Sequence, residues 1–196
     1  PPLARRREGE GAGWRGRGDT GGMPEAPMVL GGLAEKVEGV RRDPARAAEY
    51  FGRAAVLGAG PAALRYGQFL AAGNSTAPNS DPLPWFRRAA EKGISEAQFE
   101  AANLLDKRVG DESAQKEALG WFRQAAEQGH PRSALRLGIA LETGRGTAPS
   151  PAEAIPWYLK AAAANDPEAL FRLGKLYDRG VGAKGEVERG GDGQQE

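Results

Sequence analysis

The sequence has no cysteine and only one histidine, His130, among its 196 residues. The lack of cysteine excludes disulfide bonds and thiolate metal ligands. One histidine without a nearby partner builds neither a metal site nor a catalytic triad, so we expect it to cap a helix or lie in a loop. No clustered set of nucleophile, base and metal ligands is visible. We therefore predict a protein that is not an enzyme and needs no cofactor or metal.

Two further absences concern location and charge. No run approaches the roughly 18 apolar residues that span a bilayer, and no apolar run follows Pro1 as it would in a signal peptide. Basic and acidic residues nearly balance, at 27 and 26, so no net field favours nucleic acid or an anionic membrane. The sequence does not determine the cellular compartment, although it favours a soluble intracellular protein.

Four aromatic pairs recur along the chain, and their leading residues are separated by steps of 35, 36 and 36 residues. Each pair is followed, after two residues, by Ala-Ala. The pairs are Tyr50-Phe51, Trp85-Phe86, Trp121-Phe122 and Trp157-Tyr158. A column of small residues comes 17 residues after each leading aromatic, at Gly67, Ala102, Gly138 and Gly174. Such a period, carried by several positions, predicts stacked supersecondary units.

Each unit is predicted to be a pair of helices. Phe122 and Ala125 share one face of a first helix, and Leu137 and Leu141 share one face of a second. The small residues allow the helices to approach closely, and the leading Trp or Tyr is predicted to fill the space between units. Pro156 lies inside a first helix, so we expect that helix to start late or kink. Residues that favour turns separate the paired helices, at Gly58, Gly93, Gly129 and Asn165.

The composition changes at both ends of the repeat. Residues 1–22 form a Gly- and Arg-rich head that we expect to be disordered, with RNA binding through this head as an alternative. The predicted solenoid spans residues 23–182, and residues 183–196 form a predicted disordered tail. Residues 24–40 match the second half of a unit, which suggests that sequence precedes Pro1.

The repeat resembles the Sel-one-like repeat (SLR) family, a relative of the tetratricopeptide repeat. The resemblance rests on Trp-Phe-Arg-Gln-Ala-Ala-Glu-Gln-Gly at 121–129 and on Ala-Leu-Phe-Arg-Leu-Gly-Lys-Leu-Tyr at 169–177. It covers residues 24–182 and implies an all-α, right-handed solenoid of about four and a half helix pairs. It also implies an adaptor or scaffold that binds a peptide or helix of a protein partner on its concave face, with no small-molecule substrate.

Basic side chains follow the leading aromatics on the first helices, which in such arrays tend to line the concave side. They are Arg53, Arg87, Arg88, Arg123 and Lys160. We predict that they form a rough row that binds an acidic peptide. The alternative is that they are solvated helix positions, balanced by Glu91 and Glu127 one turn further on. A second alternative for the whole chain is the non-catalytic repeat portion of a larger enzyme or signalling protein.

Overall fold

The computed structural model describes residues 28–29, 32, 43–73 and 81–182. Residues 43–73 and 81–182 hold eight α-helices and no β-strand, which confirms the all-α prediction. The helices are α1 (Pro44–Val56), α2 (Gly60–Ala71), α3 (Leu83–Glu91), α4 (Ser95–Asp106), α5 (Glu112–Glu127), α6 (Pro131–Thr143), α7 (Pro151–Ala162) and α8 (Pro167–Asp178). The predicted head and tail lie outside the described residues, as does most of the half-unit at 24–40.

The chain divides into two compact units between Ala97 and Gln98. In the first unit, α2 packs against both α1 and α3. In the second, α6 packs against α5 and α7, and α7 packs against α8. Contacts between helices adjacent in sequence are typical of repeat proteins, in which each element is stabilised by its neighbours. Hereafter α1, α3, α5 and α7 are the first helices, and α2, α4, α6 and α8 are the second helices.

Capping side chains fix where several helices begin. Asp43 Oδ1 accepts from the backbone N–H of Arg46 at 3.0 Å before Pro44 opens α1. Asp166 Oδ1 accepts from the backbone N–H of Ala169 at 3.0 Å before α8. These bonds satisfy backbone donors that have no partner within the helix.

His130 is also a capping residue, as its position before Pro131 suggested. Its Nδ1 accepts from the backbone N–H of Ser133 at 3.2 Å, at the start of α6. The imidazole packs against Phe99, with ring centroids 4.9 Å apart. The only histidine of the sequence therefore has a structural role in this part of the chain.

The residues predicted to form turns between paired helices adopt a left-handed backbone. Asn165 has φ 59°, and Gly129 at the same place in the preceding pair has φ 85°. Asparagine is one of the few side chains that tolerate this conformation, so it can replace glycine there. Helix α7 begins at Pro151 and continues through Pro156, so it does not start late.

The second member of each aromatic pair forms the core. Phe51, Phe86, Phe122 and Tyr158 are 3%, 1%, 2% and 0% exposed. The leading residues, Tyr50, Trp85, Trp121 and Trp157, are only partly buried. The fully buried ring of each pair is therefore the second aromatic, although the leading Trp85 still contacts Tyr66 of the preceding helix pair. The second aromatic shares a helix face with the Ala-Ala pair three and four residues later, whereas the leading residue lies about 100° to one side.

The small-residue column makes room for these buried rings. A Cβ added to Gly138 would lie 2.5 Å from Cε1 of Tyr158, and one added to Gly67 would lie 2.7 Å from Cε1 of Phe86. In both places the glycine of a second helix receives the ring of the next first helix. This contact explains why the glycine and aromatic columns repeat with the same period.

Candidate partner-binding surface

An open groove lies along α3 in the first compact unit. It is lined by Pro84, Trp85, Arg87, Arg88 and Glu91. Two of the five predicted site residues, Arg87 and Arg88, therefore meet in one groove. The other three lie on different first helices: Arg53 on α1, Arg123 on α5 and Lys160 on α7.

Two neighbouring side chains contact the indole of Trp85. Since Phe86 points inward to Gly67, Trp85 lies at the edge of the helix pair and stays partly exposed. The Tyr66 ring meets it in a T-shaped contact, with centroids 4.9 Å apart and planes at 78°. The guanidinium carbon of Arg88 lies 5.4 Å from the indole centroid. Both contacts are geometries that aromatic rings favour.

Arg88 is suited to bind a carboxylate. Its side chain is exposed, and the planar fork of a guanidinium offers N–H donors of which a carboxylate can accept two. Arg87 lies beside it and is half-buried, and Glu91 follows one helical turn later. The groove thus offers an aromatic surface, two cations and one carboxylate.

The same arrangement recurs in the second compact unit. Nζ of Lys160 lies 4.2 Å from the ring centroid of Trp157. Lys160 follows Trp157 by three residues, as Arg88 follows Trp85. Residues three apart are neighbours on a helix surface, so this spacing brings the cation over the ring.

The five predicted basic residues therefore occupy two different positions relative to the leading aromatic of their helix. Arg53, Arg88 and Lys160 come three residues after the leading aromatic, whereas Arg87 and Arg123 come two residues after it. Around Trp121 the third position is Gln124, and the indole N–H instead donates to Oε1 of Glu117 at 3.1 Å. The stacking of cations on the leading rings was missed at the sequence level, although the three-residue spacing could have revealed it. Binding of a partner by these five residues stays a prediction.

A polar network links α6, α7 and α8 in the second compact unit. The hydroxyl of Tyr158 donates to Oε2 of Glu142 at 2.6 Å, and Nη1 of Arg172 donates to the same oxygen at 2.9 Å. Burial by itself would raise the pKa of Glu142, but the hydrogen bonds from Tyr158 and Arg172 outweigh it and hold that pKa below its ordinary value. Burial and the bond to Glu142 raise the pKa of Tyr158, so its hydroxyl remains a donor.

Replacing Tyr158 with Phe is expected to lower stability at neutral pH and to have less effect in acid. Phe occupies this position in the other three pairs, so the ring should fit, and the loss is one hydrogen bond to a charged group, about 1.5–3 kcal/mol. Because the pKa of Glu142 is lower in the folded than in the unfolded state, its ionised form stabilises the fold above the unfolded pKa, about 4.3. That contribution disappears as the pH falls through the folded pKa. Thermal melts of both proteins over a pH series check this, and a constant difference in Tm would contradict it.

Among residues 28–29, 32, 43–73 and 81–182, no three His, Cys, Asp or Glu side chains are grouped so that they could hold a metal ion. None of the helices in these ranges is both long and apolar enough to cross a membrane.

The match to a family model, repeated along the chain, shows the family. The Sel1 repeat model matches residues 30–58, 85–94, 95–130, 131–166 and 167–190, well over half of the chain. The chain belongs to the Sel1 repeat family. Three of the matched segments begin where second helices begin, at Ser95, Pro131 and Pro167. This agreement supports the helix-pair boundaries, and the predicted resemblance is confirmed.

Several solved structures are similar to this chain. A Sel1 repeat protein from Oxalobacter formigenes is 28% identical with a TM-score of 0.73, over 82% of this chain and 67% of that one. A protective antigen of uropathogenic Escherichia coli with an SLR fold is 27% identical with a TM-score of 0.47, over 82% and 42%. An immunity protein from Pseudomonas aeruginosa is 19% identical with a TM-score of 0.44, over 70% and 51%. No curated protein matches the chain.

Membership of this family carries a general expectation about function. Sel1 repeat proteins commonly mediate protein–protein interaction. Their fold is typically a non-catalytic scaffold. The aromatic and basic groove on α3 is the described feature that best fits such a role.

Proposed function

We propose that this Sel1 repeat protein is an adaptor that binds an acidic peptide or helix of a partner protein on its first helices. The observation that carries the proposal is Arg88 stacked on the partly exposed ring of Trp85, with Arg87 beside it in one groove. Trp and Arg are the residue types that most often dominate the energy of protein interfaces.

The geometry of the groove favours binding because little has to be ordered. Tyr66 supports the indole, and the indole supports the guanidinium of Arg88. A pre-formed contact surface loses less conformational freedom on association than mobile side chains do. The complementary partner segment carries Asp or Glu side chains that pair with the arginines, next to an apolar side chain that covers the indole.

Lys160 on Trp157 supplies a second contact of the same chemistry on α7. The family resemblance implies that the first helices line a concave face, and we propose that the partner binds there. RNA binding through residues 1–22 and membership of a larger enzyme stay predictions on which the described residues do not bear.

Charge reversal in the groove should abolish this binding. Peptides selected for binding to the full chain from a random displayed library should be enriched in Asp and Glu. Their affinity should fall at least about tenfold in R87E/R88E, since two attractive contacts become repulsive and each 1.4 kcal/mol corresponds to a factor of ten. The matched control is R108E/R136E, which makes the same change of charge at two exposed arginines outside the first helices. Isothermal titration of each protein with one selected peptide gives the dissociation constants.

Two outcomes would count against the proposal. One is a set of selected peptides without acidic enrichment. The other is an equal loss of affinity in R87E/R88E and in R108E/R136E, which would indicate that only net charge matters. Weaker binding at higher salt should accompany the expected result, because exposed charges are screened.

A further inference from the structure

The leading tryptophan of α5 bonds to a carboxylate of its own helix. The indole N–H of Trp121 donates to Oε1 of Glu117 at 3.1 Å. Glu117 comes four residues before Trp121, so the two side chains are neighbours on the helix surface. The chain itself thus contains an example of a carboxylate bound to the indole N–H of a leading aromatic.

Helix α3 provides no such acceptor for its own leading tryptophan. Asp81 comes four residues before Trp85, but α3 begins only at Leu83, so Asp81 lies outside the helix. Its Oδ1 accepts instead from the backbone N–H of Leu83 at 2.9 Å. Among residues 43–73 and 81–182, none accepts a hydrogen bond from the indole N–H of Trp85. This donor is therefore available to a bound peptide on α3, whereas the equivalent donor on α5 is already bonded.

A peptide that covers the Trp85 ring has to supply an acceptor. Covering the ring would remove the indole N–H from water, and a donor that is buried without a partner is unfavourable. Buried tryptophan N–H groups accordingly have a partner in most proteins. An indole nitrogen only donates, so the group that meets it must be an acceptor such as a carbonyl or carboxylate oxygen.

The charges beside the ring favour an ionised acceptor over a neutral one. The guanidinium carbon of Arg88 lies 5.4 Å from the indole centroid, and Arg87 lines the same groove. Within the described part of the chain no carboxylate, including that of Glu91, is paired with Arg88. A carboxylate of the peptide gains from this positive charge, and its hydrogen bonds are stronger than those of a neutral carbonyl.

We propose that the indole N–H of Trp85 donates a hydrogen bond to a side-chain carboxylate of the partner peptide. This contact rests on the function proposed above, because the acceptor belongs to the acidic peptide. It makes Trp85 a residue that determines specificity: the bond requires Asp or Glu at one position of the peptide, whereas attraction to the two arginines alone would accept an acidic residue anywhere near them.

Removing the N–H without removing the ring tests the proposal. In the full chain Trp85 is replaced with 3-benzothienylalanine, which keeps the shape of the two rings and has sulfur in place of the N–H. The affinity for one of the selected acidic peptides, measured by isothermal titration, should be at least about tenfold lower. The matched control is the same replacement of Trp121, which should leave the affinity unchanged because that N–H is bonded to Glu117. Melting curves check that both variants are folded.

Changes in the peptide identify the acceptor. Each acidic residue of the peptide is replaced in turn by its amide, Glu by Gln and Asp by Asn. One of these changes should weaken binding to the unmodified chain more than binding to the chain with the Trp85 replacement, because the latter has already lost the N–H.

Three results would overturn the proposal. The Trp85 replacement could leave the affinity unchanged while R87E/R88E lowers it, in which case the peptide binds in the groove without this bond. The Trp121 replacement could lower the affinity as much as the Trp85 replacement does. Every amide change could weaken binding to both chains equally, which would show that no side-chain carboxylate accepts the bond. A selection that yields no acidic peptide would overturn the proposed function together with this contact.

Discussion

Gly138→Ala is expected to destabilise the protein, although alanine is the better helix former. The new Cβ would lie 2.5 Å from Cε1 of Tyr158, a ring that is 0% exposed. The ring can move only by disturbing its packing and the 2.6 Å hydrogen bond from its hydroxyl to Glu142. Overpacking of this kind costs about 1–3 kcal/mol. For a chain of this length that corresponds to a fall in Tm of roughly 3–10 °C, measurable by thermal denaturation.

Gly174→Ala is the matched control, with the opposite expected sign. It makes the same change one repeat later in the same column, where a Cβ meets nothing within 4 Å. Only the helix preference of alanine remains, and it stabilises by about 0.5–1 kcal/mol. Equal effects of the two substitutions on Tm would show that the glycine column does not act by receiving rings.

Phe122→Ala is expected to cost far more stability than Trp121→Ala, although tryptophan is the larger residue. Phe122 is 2% exposed, and its ring lies 6.1 Å from that of Phe99. Truncation of such a buried ring costs about 3–5 kcal/mol, a large share of the roughly 5–15 kcal/mol by which proteins are stable. Trp121 is partly exposed, and its indole N–H bonds to Glu117 on its own helix, so much less packing depends on it.

Denaturant titrations of both variants check this order. The transition midpoint should fall strongly for Phe122→Ala and slightly for Trp121→Ala. A larger fall for Trp121→Ala would show that the leading aromatic, and not the second one, contributes most to the core.

Much of the fold could be predicted from the sequence because several independent patterns repeat together. The aromatic, alanine and glycine columns share one period, and capping residues such as Asp43 and Asp166 mark helix starts. Asn165 was correctly placed in a turn between helices because it replaces glycine at a fixed place in the repeat. Local backbone preferences and periodicity are properties of the chain itself, so they can be read without a structure.

The burial of the aromatic pair could not be predicted as well. Two adjacent aromatic side chains leave a helix in directions only about 100° apart. Tryptophan, as the larger ring, is the more obvious candidate for the core. The choice depends on which ring fits above the glycine of the preceding second helix. That fit is a tertiary contact, shown by Tyr158 against Gly138.

The candidate site could be predicted only in part. The basic residues were chosen because they follow the aromatic pairs, but their division into positions two and three residues after the leading aromatic was not recognised. Arg88 and Lys160 lie over indole rings because the leading tryptophans remain partly exposed. A site that uses those exposed faces could not be recognised while the same rings were assigned to the core.

We propose that the partly exposed leading aromatics and the cations over them form the recognition surface, while the second aromatics hold the helix pairs together. Nuclear magnetic resonance of the indole N–H groups during titration with a selected acidic peptide tests this proposal. The Trp85 resonance should shift with peptide concentration, and R87E/R88E should remove the shift. An unchanged Trp85 resonance in a protein that binds the peptide would show that the peptide is recognised elsewhere.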